Sequence, residues 1–182
     1  MPWGDLRQRL QDLSKEQLVE LLKGLHNLSS QNKAWLRGQL FPVDQNNDFL
    51  EECRRKVIKA VYDPARKTPA MPRFRDVKSA IAEYRKSTRD LNGTLDLMLT
   101  YIERGHAFTN DFGDIDEPFY NALINMLGRF DVELRNNLAS REIYAQFRPR
   151  LIAIRHRSDI GWGYGDFVQE TIDDLEADLG EE

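Results

Sequence analysis

The stretch SKEQLVELLKGLHNL, residues 14–28, has the sequence of an amphipathic helix with its own N-terminal cap. Ser14 and Gln17 have the spacing of a capping box, in which the serine hydroxyl accepts a hydrogen bond from an early backbone amide and the glutamine reaches back to the cap. Apolar side chains then recur every three or four residues, at Leu18, Leu21, Leu22, Leu25 and Leu28. This period predicts a helix with one apolar face.

The same period recurs along almost the whole chain, and no alternating apolar–polar run of useful length indicates a strand. We therefore predict an all-α fold of eight or nine helices, arranged as stacked helix hairpins in a bundle or a short solenoid-like array. In the helix that follows Ser29 and Ser30, we expect Trp35, Leu36 and Leu40 to point inward.

The only candidate internal boundary is residues 63–72, where three prolines forbid a helix. The residues before this segment would bury too little apolar surface to be stable alone. We therefore predict a single domain over residues 1–182, with 63–72 as an ordered crossover inside it.

Composition excludes several classes of protein. Hydrophobic residues make up 41% of the chain and charged residues 31%, which is typical of a globular protein. No apolar run approaches the roughly 20 residues of a membrane span, and residues 1–5 lack the features of a signal peptide. Cys53 is the single cysteine and has no disulfide partner, which favours a reducing, cytoplasmic location.

Charge is distributed unevenly along the chain. The net charge is −2 over residues 1–52, +9 over residues 53–89 and −11 over residues 90–182. The basic segment 54–89 could bind a nucleic acid or dock on the acidic part of the same fold. Candidate nucleic-acid contacts are Arg54, Arg55, Lys59, Arg73 and Arg75.

Residues 105–120, GHAFTNDFGDIDEPFY, combine acids and rings in what we predict to be a connection between two helices. In one interpretation Asp116 or Asp114 caps the helix entered at Pro118, and the rings of Phe108 and Phe112 fill the core. In the other, Asp111, Asp114 and the rings bind a partner.

Residues 160–167, IGWGYGDF, form the second unusual connection, with glycines alternating around Trp162 and Tyr164. The glycines permit a tight turn or a close approach. Trp162 could be buried against the preceding helix, or the two rings could form a platform for a peptide or ligand.

Metal and catalytic motifs are incomplete. Glu103 and His106 have the Glu-x-x-His spacing of helical metal ligands, but a second such pair is missing. The acids around Asp111 fail the spacing of a calcium loop. Cys53 lies in an amphipathic helix, so it is interpreted as a small apolar residue. We predict no catalytic residue, no metal site and no cofactor.

Four runs resemble an uncharacterised bacterial helical family, domain of unknown function 6155. They are Leu13–Leu18, Asp96–Glu103, Phe108–Ile115 with Phe119–Asn121, and Ile160–Gly163. The resemblance covers most of the chain and implies an all-α fold. It implies no activity, cofactor or catalytic residue.

The sequence therefore favours a non-enzymatic interaction or adaptor module that binds a protein or peptide. If the two unusual connections meet, a groove walled by Phe108, Phe112, Trp162 and Tyr164, with Asp111 and Asp114 at its rim, would suit a basic peptide or cationic ligand. Nucleic-acid binding through residues 54–89 is the alternative, and a metal-dependent enzyme is the third possibility.

Overall fold

The computed structural model describes residues 2–41, 47–63, 65, 70–155 and 161–180. The described residues form nine helices and no strand, which confirms the predicted all-α fold. The helices are α1 Trp3–Gln11, α2 Lys15–Leu28, α3 Ser30–Leu40, α4 Asn47–Val61, α5 Phe74–Thr88, α6 Leu91–Phe112, α7 Glu117–Arg135, α8 Ser140–Arg155 and α9 Tyr164–Leu179.

The helices are arranged as stacked hairpins. Consecutive helices pack as the pairs α2 with α3, α4 with α5, α6 with α7, and α8 with α9. Contacts of α3 with α5, α4 with α6 and α7 with α9 join one pair to the next. Short connections at Ser29 and at residues 113–116 join the helices of two of these pairs, whereas the longer crossover at residues 63–72 joins α4 to α5.

Helix α6 is the centre of the body, which consists of α4 to α9. It packs against α4, α5, α7 and α8. Its residues Leu95, Met98 and Ile102 are fully buried. Thr94, on another side of the same helix, is buried as well. A helix surrounded in this way is apolar over most of its circumference, and this one carries no Lys or Arg in its first three turns.

Local capping follows the sequence prediction at two helix starts. The Ser14 hydroxyl accepts from the Gln17 amide at 3.3 Å, and the Gln17 side chain accepts from the Ser14 amide at 2.8 Å. Asp116 caps α7 by accepting from the Phe119 amide at 3.0 Å, with Pro118 in the first turn. Both caps are set by residues within one turn of each other, so they are readable from sequence.

The predicted connection at residues 105–120 is mostly helix. Helix α6 continues to Phe112, and only residues 113–116 separate it from α7. A Cβ on Gly105 would lie 2.5 Å from a methyl carbon of Leu123, so this glycine allows α6 and α7 to approach each other. The prediction was wrong because close packing of two helices offsets the low helix propensity of Gly105.

The N-terminal arm, residues 3–41, contains α1 to α3 and attaches to the body through α3. Ala34 is buried, whereas Trp35 is 48% exposed and Leu40 is 72% exposed, so the prediction that these two side chains point inward was wrong. A Cβ on Gly38 would lie 2.9 Å from the Ser87 carbonyl oxygen. Small residues let α3 approach α5 closely, and this contact turns the larger side chains outward.

The crossover at residues 63–72 joins α4 and α5, which pack against each other. The Arg73 amide donates to the Ala60 carbonyl at 2.7 Å and ties the end of the crossover to α4. Residues 64 and 66–69 lie outside the described part of the chain. Helix α8 begins at Ser140 and continues through Pro149. None of the described helices combines the length and apolar character needed to cross a membrane.

Candidate functional site

The two unusual connections touch in the structure. The Asp114 carboxylate, between α6 and α7, lies beside Gly161, which precedes α9: a Cβ on this glycine would lie 3.3 Å from each carboxylate oxygen. The ring of Tyr164, at the start of α9, packs against the ring of Tyr120 with centroids 5.7 Å apart. Ile160, the first residue of the second connection, lies outside the described residues.

Tyr120 organises the contact between the connections. Its hydroxyl donates to Asp114 at 2.7 Å, accepts from the Ile115 amide at 3.3 Å and lies 2.6 Å from the Thr109 hydroxyl. Burial is the main cause that raises the pKa of Tyr120, so the hydroxyl keeps its proton for Asp114. The carboxylate thus holds the short loop 113–116 in place.

The rings of the predicted groove separate into two groups. Phe108 and Tyr164 are buried in the core, whereas Phe112 is 43% exposed and Trp162 is 57% exposed. Phe108 packs against Phe112 and Phe119, with ring centroids 4.9 and 5.8 Å apart. Two of the four predicted walls therefore present no surface to a ligand, and the expectation that Trp162 is buried in its turn was also wrong.

The acids of the predicted rim also have structural partners. The Tyr62 hydroxyl donates to Asp111, and this hydrogen bond raises the pKa of Tyr62. Phe112 packs edge-on against the same tyrosine ring, with centroids 5.7 Å apart. Asp111 binds Tyr62 and Asp114 binds Tyr120, so both acids support the junction of α4, α6 and α7. Within the described residues, the four predicted rings and these two acids do not form the predicted acidic aromatic groove.

Several cations of the basic segment dock on acids of the same fold. Arg54, on α4, donates to Asp96 on α6 through Nη2 at 2.7 Å and Nε at 3.0 Å. Asp96 also accepts from Arg150 of α8 at 2.6 Å. Lys56 pairs with Glu83 of α5 at 3.2 Å. Part of the positive charge of the basic segment is therefore neutralised by ion pairs with acids elsewhere in the same fold.

The other predicted nucleic-acid contacts have different surroundings. Arg73 pairs with Asp76 at 3.1 Å, and Arg55 donates to the Glu51 carbonyl at 3.3 Å. In the described part of the chain, six further cations of this segment are exposed. Five of them have no side-chain hydrogen bond or ion pair, and the sixth, Arg85, pairs with Glu133. Lys59 and Arg75 belong to the exposed cations that remain available.

The geometry gives the other candidate chemistry no support. Arg150 binds the Glu103 carboxylate at 2.8 and 2.7 Å, and His106 is buried against Tyr164 with ring centroids 6.0 Å apart. The described residues contain no group of three His, Cys, Asp or Glu side chains that could hold a metal ion. Burial raises the pKa of the Cys53 thiol to about 12, which opposes formation of a nucleophilic thiolate.

The N-terminal arm carries a surface that the sequence interpretation did not identify. Ten of the fifteen exposed large apolar side chains in the described residues belong to residues 3–41, so the exposure is concentrated in the arm. They are Trp3, Leu6, Val19, Leu21, Leu22, Leu25, Leu28, Trp35, Leu40 and Phe41. Helical periodicity shows that these residues share faces, but it does not show that the body leaves the faces uncovered.

Comparisons with protein-family models, with curated proteins and with solved structures found no match for this chain. The resemblance to the uncharacterised helical family therefore stays a prediction.

Proposed function

We propose that the protein is a non-catalytic protein-interaction module and that two copies of it associate through the apolar face of α2. The observation that carries this proposal is the exposure of that face. Leu21, Leu22 and Leu25 are 44–46% exposed and Leu28 is 74% exposed, although all lie on one side of a capped helix. Apolar faces of this kind are typical of interaction surfaces.

Helix α3 covers only part of the apolar face of α2. Helix α3 is the substantial packing partner of α2 among the described residues. Leu18 and His26 are half-buried, which marks the side toward α3. At 100° per residue, Leu21, Gly24 and Leu28 lie together on the other edge. That edge is available to a second helix.

The spacing of the leucines favours another helix as the occupant. Leu18 and Leu25 are seven residues apart, as are Leu21 and Leu28, so the face has the alternating three- and four-residue spacing of a coiled-coil seam. Apart from its chain neighbours and its own helix backbone, no described residue lies within 4 Å of a Cβ built on Gly24. A neighbouring helix can therefore approach closely beside this seam.

A second copy of α2 fits this face. In an antiparallel pair centred on Lys23, Leu18 of one copy lies level with Leu28 of the other, and Leu21 lies level with Leu25. The charged pair Glu20 and Lys23, 3.2 Å apart, is on the opposite side of the helix and stays in water. Self-association therefore buries leucines against leucines without burying a charge.

The exposed area of the arm is sufficient for such an interface. Side chains of this size that are half exposed offer on the order of 100 Å² each, so ten of them offer about 1,000 Å², compared with the ~800 Å² that each partner of a stable complex buries. Only part of this area lies on α2. The rest lies on α1, on α3 and at Phe41.

Sedimentation velocity over a range of protein concentrations tests the proposal. We expect the unaltered protein to sediment as a dimer at micromolar concentration, and the double variant Leu21→Glu, Leu28→Glu to sediment as a monomer. The matched control changes two exposed apolar residues of the body, Val132→Glu and Leu138→Glu, and should remain dimeric. Circular dichroism verifies that both variants keep their helix content.

If the unaltered protein sediments as a monomer at every concentration, self-association through α2 is disproved. The same conclusion follows if the arm variant and the body variant dimerise with equal dissociation constants.

A further inference from the structure

We propose that the outer face of α5 binds the phosphodiester backbone of a nucleic acid. The cationic face, as we call it, is formed by five exposed side chains: Arg75, Lys78, Arg85, Lys86 and Arg89. At 100° per residue these positions fall within an arc of about 100°. The opposite side of α5 is buried in the core through Val77, Ile81 and Tyr84. The cations therefore form one row on a firmly held helix.

The charge of the cationic face is mostly uncompensated. Among the described residues, Arg85 is the one cation of the face with an acid partner, Glu133. The two acids of α5 lie to one side of the row: Asp76 pairs with Arg73, and Glu83 pairs with Lys56. Four positive charges therefore face solvent without a local counter-charge.

Helix stability does not account for the whole row. Cations near a helix C-terminus interact favourably with the helix dipole, which explains Arg85, Lys86 and Arg89. Arg75 and Lys78 lie in the first two turns, and the dipole disfavours a cation in the first turn by roughly 0.3–1 kcal/mol. A ligand with regularly spaced negative charges accounts for both ends of the row.

The backbone at Arg89 supports the same inference. Arg89 ends α5 in the left-handed conformation, with φ 56°, where glycine is the favoured residue. A side chain in this conformation costs about 1–2 kcal/mol. Arginine at this position puts a cation at the end of the row at the expense of local stability. Strain of this kind is found at functional positions.

The shape of the row fits a line of phosphates. Arg75 and Arg89 are fourteen residues apart, about 21 Å along a helix with a rise of 1.5 Å per residue. A single nucleic-acid strand presents several phosphates over this length. A helix that binds a lipid surface inserts apolar side chains beside its cations. The outward face of α5 offers only Ala82 between them, and its apolar side is in the core.

Fluorescence anisotropy with labelled duplex DNA, duplex RNA and single strands, each titrated over a range of salt concentrations, tests the inference. We expect binding at low salt that weakens as salt rises, with a slope of log K against log salt of about −0.9 for each phosphate contacted in duplex DNA. The triple variant Arg75→Gln, Lys78→Gln, Lys86→Gln should lose on the order of 100-fold or more in affinity near 0.1 M salt. Its slope should be smaller by about 3.

The matched control is Arg7→Gln, Arg9→Gln, Lys33→Gln, which removes the same charge from exposed positions of the arm. It should bind as the unaltered protein does. Arg89→Gly should weaken binding while raising the melting temperature, a combination that a purely structural role of Arg89 does not produce.

Three results would overturn the inference. The first is no binding to any nucleic acid at low salt. The second is equal weakening by the α5 variant and the arm variant. The third is binding to vesicles of equal parts phosphatidylcholine and phosphatidylserine, lost in the α5 variant, with no comparable binding to nucleic acid.

Discussion

The Asp114 carboxylate lies beside Gly161, so the loop before α7 adjoins the turn before α9. A side chain on Gly161 would meet both carboxylate oxygens at 3.3 Å, and the hydroxyl of Tyr120 holds one of these oxygens at 2.7 Å. The acids in this region therefore act as parts of the fold, and the following changes test that role.

Tyr120→Phe should destabilise the protein. The change removes the hydroxyl that Asp114, Ile115 and Thr109 share, so the part-buried Ile115 amide and the Asp114 carboxylate lose this partner. We expect a loss of about 1–3 kcal/mol in the free energy of unfolding, measured by urea denaturation. Tyr62→Phe is the control, because the Tyr62 hydroxyl bonds only to the exposed Asp111 among the described residues. This variant should lose less free energy of unfolding than Tyr120→Phe. An equal cost for the two variants would contradict the role given to Tyr120.

Gly38→Ala should weaken the contact between the arm and the body. The new Cβ would lie 2.9 Å from the Ser87 carbonyl oxygen and 3.2 Å from the Thr88 Cα, and neither backbone atom can rotate away. We expect a cost of about 1–3 kcal/mol and faster amide hydrogen exchange in α3. Gly4→Ala, where nothing lies within 4 Å of the added carbon, should leave exchange in α3 unchanged. Unchanged exchange in both variants would show that α3 does not depend on this approach.

Glu176 should make stability depend on pH at acidic pH. Hydrogen bonds from Arg148 and then from Tyr144 lower the pKa of this carboxyl to about 2 from its ordinary value of 4.5. Because the folded pKa is the lower one, the contribution is complete above pH 4.5 and is lost as the pH falls toward 2. The carboxylate is near the surface, so we expect about 0.5–1 kcal/mol at neutral pH.

Thermal melts of Glu176→Gln measure this contribution. Its melting temperature should lie below that of the unaltered protein at pH 7, and the difference should shrink as the pH falls from 4.5 toward 2. Glu170→Gln, at an exposed position on the same helix, should show no such trend. A difference for Glu176→Gln that stays constant with pH would exclude the ion pair as its cause.

Cys53 should resist thiol reagents in the folded protein. Its side chain is fully buried, and burial is the first cause that raises its pKa to about 12. Reaction with a chromogenic disulfide should be slow in buffer and complete in denaturant, because the thiolate forms only when α4 opens. Ser79→Cys, on the exposed side of α5, should add one thiol that reacts at once. Rapid reaction of the unaltered protein would mean that Cys53 is accessible.

The local parts of this fold were predictable from sequence. The caps at Ser14 and Asp116 use side chains one turn away from the amides that they satisfy, so residue order alone reveals them. Apolar periodicity likewise predicted the number of helices. It failed at Trp35 and Leu40, because periodicity identifies a face but not whether another helix covers it.

The candidate surfaces were less predictable, since they depend on distant pairs. Charge counting located the basic segment, but the pairing of Arg54 with Asp96 removes one cation, and only the fold shows it. The same reasoning applies to Tyr164: its neighbours Gly163 and Gly165 suggest an exposed turn, whereas its ring lies in the core against Tyr120. Sequence shows which groups are present, and packing determines which of them remain available.

The attachment of α2 to the body through α3 has a consequence for how this protein can evolve. Substitutions on the outward side of α2 leave the packing around α6 untouched, so we expect them to change the proposed self-association without lowering the yield of folded protein. Selection can therefore act on the partner preference of the arm separately from the foldability of the body. Related chains should diverge fastest at Leu21, Gly24 and Leu28 wherever the partner differs.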